Sequence, residues 1–168
     1  SKGRDGIFSN TSTHNTYNKI VGDATLRVNE RGNGVTVWNA PGAQVVGNDI
    51  SKGRDGIFSN TSTHNTYKNN RFSDLRFAVH YMYTNDSEIS GNISVGNNMG
   101  YVLMFSERLK VFDNIAVGSR DQGIMLNYVN YSDIHDNIIN KAGKCVFAYN
   151  ANYDKLFANH FENCQIGI

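Results

Sequence analysis

Asn48, Asn70, Asn92, Asn114, Asn137 and Asn159 follow one another at spacings of 22, 22, 22, 23 and 22 residues, and this repeat limits the fold more than any other feature of the chain. Three residues ahead of each stands an apolar or aromatic residue: Val45, Tyr67, Ile89, Val111, Ile134 and Leu156. A second register runs through Ile7, Val35, Ile57, Val79, Tyr101, Ile124, Val146 and Ile168, with the same period apart from one 28-residue and one 23-residue step. The long step contains Gly22 to Asn33, which is expected to bulge from the stack as a loop. A unit this short cannot bury a face alone, so successive units must stack into a continuous core. Within a unit the apolar residues alternate, as in Val35-Thr36-Val37 and Ile124-Met125-Leu126, which is the period of a strand. The expectation is an all-β chain forming a right-handed parallel β-helix of coils about 22 residues long. It reads as a single domain over residues 1–168.

The asparagine ladder is read as structural. Each amide can hydrogen-bond to its equivalent one coil away, and asparagine tolerates left-handed backbone at a turn. The composition agrees, with 24 Asn, 16 Gly and one Pro, Pro41, as many short strands joined by tight turns require. Lys and Arg number 16 against 15 Asp and Glu, so charge offers no case for binding nucleic acid. No apolar run approaches the ~20 residues needed to cross a bilayer, and the opening Ser1-Lys2-Gly3-Arg4 does not read as a signal peptide. Cys145 and Cys164 match neither a paired zinc motif nor a Cys-x-x-Cys motif, and a disulfide and two buried thiols both remain open.

Residues 1–17 are identical to residues 51–67, whereas the other coils share only scattered positions. This points to a grafted copy of an internal coil, with a very recent duplication as the other reading. Asn18-Lys19-Ile20 resembles Asn48-Asp49-Ile50 but arrives two residues early after Tyr17, so the first coil is expected to be strained or out of register. The chain stops at Ile168, on the first inward position of a new strand. Open solenoid ends expose core and strand edges, and end-to-end self-association is expected.

With the Val35 register pointing inward, residues one and three places later point outward. The first outer column is Thr36, Phe58, His80, Val102, Met125 and Phe147; the second is Trp38, Asn60, Met82, Met104, Asn127 and Tyr149. So apolar a face calls for a cover, which could be chain segment, partner protein or metal ion. Thioether and imidazole are the donors that suit monovalent copper. His80, Met82, Met104 and Met125 are therefore the candidate metal ligands, Met125 the most distant because it lies two coils from His80. Each Met taken singly also suits a packing role. His14 and His64 are copies of one turn residue, and His135 and His160 flank the ladder in other columns.

Many parallel β-helices act on polysaccharides, a chemistry that needs carboxylates or a base gathered on one face. Asp5, Asp55 and Asp121 fall near one column but are expected to stay apart, and Tyr81 reads inward. A carbohydrate lyase or epimerase is thus the alternative function, and an engineered scaffold without activity is the third.

The run Asp74-Leu-Arg-Phe-Ala-Val-His-Tyr-Met-Tyr-Thr-Asn-Asp86 resembles the NosD family, as do Arg31-Gly-Asn-Gly-Val-Thr-Val-Trp-Asn-Ala-Pro-Gly42 and Lys144-Cys-Val-Phe-Ala-Tyr-Asn-Ala-Asn152. The similarity covers about residues 18–168. It implies a pectin-lyase-like β-helix that is periplasmic and not an enzyme, binds copper, and serves copper-sulfur cluster assembly in nitrous oxide reductase. The implied partners are ABC transporter subunits, a copper chaperone and nitrous oxide reductase. The export signal, early coils and C-terminal region of such proteins are expected to be lacking here, and transport-linked function with them.

Overall fold

The structure is a computed structural model that describes residues 6–9, 14–16 and 18–168. Three seven-stranded parallel sheets run the length of the stack. The first is built from Ile7–Ser9, Val35–Trp38, Asp55–Asn60, Phe77–Met82, Met99–Glu107, Gln122–Asn130 and Lys144–Tyr149. The second takes His14–Thr16, Gln44–Val46, Thr66–Lys68, Glu88–Ser90, Lys110–Phe112, Asp133–His135 and Lys155–Phe157. The third takes Lys19–Val21, Asp49–Ser51, Arg71–Ser73, Ile93–Val95, Ile115–Val117, Ile138–Asn140 and His160–Glu162. Every coil gives one strand to each sheet, so the chain is a parallel β-helix. The Gly22–Asn33 segment lies outside the sheets and includes a short 3-10 turn, Val28–Glu30.

Residues one repeat apart are register partners, as Val35 with Ile57, Ile57 with Val79 and Val79 with Tyr101. The inward columns are Val35, Ile57, Val79, Tyr101, Ile124 and Val146 from the first sheet, Val45, Tyr67, Ile89, Val111 and Ile134 from the second, and Ile50, Phe72, Ala116 and Ile139 from the third, all fully buried. Tyr101 reaches across the coil to donate to the carbonyls of Asn92 and Ile115 at 2.9 and 3.0 Å. The glycine ahead of the first inward column follows from crowding: a Cβ on Gly56 would run into the ring of Phe72, and one on Gly123 into Ile139.

The ladder asparagines do more than bond to one another. Asn70, Asn92 and Asn114 each donate their backbone N–H and Nδ2 to the Oδ1 of the next asparagine, at 2.9 to 3.0 Å. Their Nδ2 also donates backwards, to the carbonyls of Val45, Tyr67 and Ile89 at 2.8 to 2.9 Å. The left-handed backbone, however, falls one residue earlier than expected. Gly47, Asn69, Gly91, Asp113, Asp136 and Ala158 have φ between 52° and 71°. The ladder residue is thus chosen for its side-chain donors and acceptor, and its predecessor makes the bend.

The first coil carries the predicted register fault. Ile7 pairs with Val35, as its copy Ile57 does, but Asn15 pairs with Val45, whose partner on the other side is Tyr67. The repeated peptide therefore sits two residues out of register in the second sheet, a shift that preserves the alternation of faces. The ladder resumes at Asn18, whose N–H and Nδ2 both donate to Asn48 Oδ1 at 2.9 Å. Tyr17 lies outside the described residues. At the other end Cys145 and Cys164 form a disulfide with a Cα–Cα distance of 5.6 Å, which settles the choice the sequence left open.

Two outcomes follow from the ladder and its neighbour. Asn92→Ala removes the acceptor of the buried Asn70 N–H and a donor to the Tyr67 carbonyl, and urea denaturation should show a loss of about 1–3 kcal/mol. Asp154 accepts from the Ser132 N–H at 2.8 Å, and burial pushes its carboxyl from 3.8 up to about 6. The folded chain then binds the proton more tightly than the unfolded one, so this group's contribution to stability falls as pH rises from 3.8 to about 6. Asp154→Asn keeps the acceptor and removes the titration, and its stability relative to the parent should increase across that interval in denaturation curves taken at several pH values.

Candidate functional site

The candidate residues stand on the outer face of the first sheet. In the strand Phe77–Met82, Val79 and Tyr81 are fully buried and point into the core, so His80 and Met82 point away from it. Met82 is the register partner of Met104 on the next coil, which puts the two thioethers on adjacent strands ~4.8 Å apart. Both are half-buried. His80, Met82 and Met104 thus share one patch. Met125 lies two coils from His80, with Val102, only 1% exposed, between them in their column.

His80 is held on three sides. Its ring centroid lies 5.0 Å from that of Phe58 and 5.2 Å from that of Phe77, and its Nδ1 is 3.0 Å from Asp55 Oδ2. Asp55 is completely buried. It accepts from Arg76 at both oxygens, Nε to Oδ1 at 2.8 Å and Nη2 to Oδ2 at 2.6 Å. The Arg76 guanidinium also covers the Phe77 ring, 4.3 Å from its centroid. Burial pushes the Asp55 carboxyl up, but the hydrogen bonds and charges of His80 and Arg76 outweigh it and hold the group below the ordinary carboxylate value.

The expectation of separation on this face concerned the carboxylates alone, and this cluster of one acid with two basic side chains lay outside it. Asp55 precedes Arg76 by 21 residues and His80 by 25, so a reading confined to columns 22 apart could not join them. The same diagonal offset recurs in the ladder, where Nδ2 of Asn70, Asn92 and Asn114 each reaches a carbonyl 25 residues back. Asp121 instead pairs with its neighbour Arg120 at 3.2 Å on the surface, and Asp5 lies outside the described residues.

The outer face is also less open than the columns suggested. Thr36 and Val102 are nearly inaccessible although they point outward, and Asn33 Nδ2 donates to Thr36 Oγ1 at 2.9 Å. Trp38 and Tyr149 of the second outer column are exposed, and aromatic surface continues at the following turn, where Tyr83, Phe105 and Tyr128 take left-handed φ of 52°, 49° and 53°. Their rings stack with centroids 5.2 and 5.3 Å apart, and Tyr149 meets Tyr128 edge-on. With faces turned to one another, the stacked rings offer solvent mostly their edges, a poor platform for sugar rings.

Among the described residues, no group of three or more His, Cys, Asp or Glu is placed to hold a metal ion. The donor set on this face is soft, an imidazole beside two thioethers. That chemistry fits monovalent copper and not the harder ions that need carboxylates.

A sequence family described as periplasmic copper-binding protein (NosD) matches residues 16–168. The chain belongs to the NosD family. It is 34% identical over 166 residues to the probable ABC transporter binding protein NosD of Stutzerimonas stutzeri, a match covering 90% of this chain and 38% of the relative. Its identity to the protein of the same description from Pseudomonas aeruginosa is 34% over 165 residues, covering 90% of this chain and 39% of the other. The chain therefore spans about two-fifths of the length of those relatives. Among solved structures, the periplasmic alginate epimerase AlgG superposes with a TM-score of 0.62 at 10% identity, over 90% of this chain and 42% of the epimerase. At that identity the likeness establishes the parallel β-helix fold alone.

Proposed function

We propose that this member of the NosD family is a copper-handling segment of a periplasmic assembly module that serves maturation of nitrous oxide reductase and acts by binding, without turnover. In this reading His80, Met82 and Met104 take up monovalent copper on the outer face of the first sheet. The observation that carries it is the placement of an imidazole and two thioethers on adjacent strands, with the imidazole fixed by a buried carboxylate. Such donors bind a soft ion through polarizable sulfur and a neutral ring nitrogen. The description of the family as copper-binding and periplasmic supports the ion and the compartment. The relatives' description as ABC transporter binding proteins supports docking to transporter subunits. A copper chaperone and the reductase would be the source and destination of the ion. Met125 is the outlying fourth candidate.

The Asp55–Arg76–His80 cluster gives the carbohydrate-active alternative its one structural argument, a histidine base beside a cation. Against it, Arg76 directs both Nε and Nη2 to Asp55, which leaves it poorly placed to neutralise a uronate carboxylate. Release of unsaturated or epimerised uronate from an acidic polysaccharide would favour that alternative.

Competition titration with a Cu(I) chelator tests the copper reading. The parent chain should bind one ion at this face, His80→Ala and Met82→Ala should each weaken binding by about tenfold or more, and Met125→Ala should have the smallest effect. Unchanged affinity in both the His80 and Met82 variants would overturn the assignment.

A further inference from the structure

The Asp55 carboxylate is the one fully buried acid on the first sheet, and its place there has a specific consequence for His80. An ionised carboxylate is an acceptor only. Arg76, a donor only, already occupies both of its oxygens from one side. The contact of 3.0 Å between Oδ2 and His80 Nδ1 is therefore a hydrogen bond in which Nδ1 donates. In a neutral imidazole the proton on Nδ1 leaves Nε2 with its lone pair free. Among the described residues Nε2 has no hydrogen-bond partner, and the side chain keeps 11% of its surface open. The rings of Phe58 and Phe77 restrict rotation of the imidazole, so the free nitrogen is directed away from Asp55.

We infer that Asp55 is a positioning residue: it fixes His80 as the tautomer protonated at Nδ1 and presents Nε2 outward, as a ligand nitrogen for the soft-metal face that includes Met82 and Met104. This rests on the copper reading for the identity of the ion, but the tautomer itself does not depend on it. The role of Arg76 follows from the same geometry. Burying a carboxylate beside a single neutral imidazole is costly, and the bidentate guanidinium makes a buried anion tolerable where only an acceptor will set the ring. Carboxylates that orient a metal-binding histidine in this way typically change metal affinity by about tenfold to a hundredfold when removed.

Two measurements on the metal-free and Cu(I)-titrated chain separate this inference from the copper reading. Long-range proton–nitrogen correlation spectra of the parent, with no metal present, should show His80 protonated at Nδ1 and bare at Nε2. In Asp55→Ala that preference should disappear, and Cu(I) affinity should fall by about tenfold to a hundredfold. Met82→Ala should weaken Cu(I) binding while leaving the His80 tautomer as it is in the parent. A parent chain whose His80 carries its proton on Nε2 would overturn the inference without any variant, so the test stands even if Asp55→Ala fails to fold. A folded Asp55→Ala with unchanged tautomer would overturn it as well. A parent with the expected tautomer but no Cu(I) affinity would uphold the positioning by Asp55 and sink the copper reading alone.

Discussion

Each ladder oxygen between Asn70 and Asn137 accepts two hydrogen bonds from the coil before, one from a backbone N–H and one from Nδ2. Those bonds pin one turn directly above another in the interior, where an unpaired amide would cost about 1–3 kcal/mol. A slip of one residue would break the ladder and turn the inward columns outward. The rest of the structure inherits this register: the close approach at Gly56, the reach of Tyr101 across the coil, and the side-by-side placement of Met82 and Met104.

Much of the architecture was therefore legible in the spacing of asparagines and inward apolar residues. The period fixed which residues face the core and placed His80, Met82 and Met104 on one outer face. Diagonal contacts between neighbouring coils were hidden, because they link residues offset by 21 or 25 and not by 22. Asp55, Arg76 and His80 belong to that class. The left-handed turns were misplaced by one residue because asparagine suits both a ladder and a bend. Here the bend falls to Gly, Asp, Asn or even Ala, whose only shared property is position. Aromatic residues at left-handed φ in the Tyr83 turn ran against local preference, and stacking along the axis explains their presence only after the coils are superposed. The pairing of Cys145 with Cys164 needed the backbone, since a spacing of 19 residues alone does not bring two Cα atoms to 5.6 Å.

The first coil shows how far the ladder governs. The same peptide, Ser51 to Tyr67 in one place and Ser1 to Tyr17 in the other, holds its usual register in the first sheet and shifts by two residues in the second. The ladder contact at Asn18 is made all the same. Coil-to-coil bonding at the asparagine outweighs the local preference of the copied segment.

Everything proposed for the copper face depends on stacked coils turning sequence columns into surface stripes. The chain has four methionines, so labelling their methyl groups yields four assignable signals. A nuclear Overhauser experiment on that sample tests the stacking directly. A cross-peak joining Met82 and Met104, with none between Met82 and the distant Met125, is the expected result. Strong contacts from either methyl to the buried rings of Tyr67 or Tyr81, with no Met82–Met104 peak, would contradict the register and remove the site built on it.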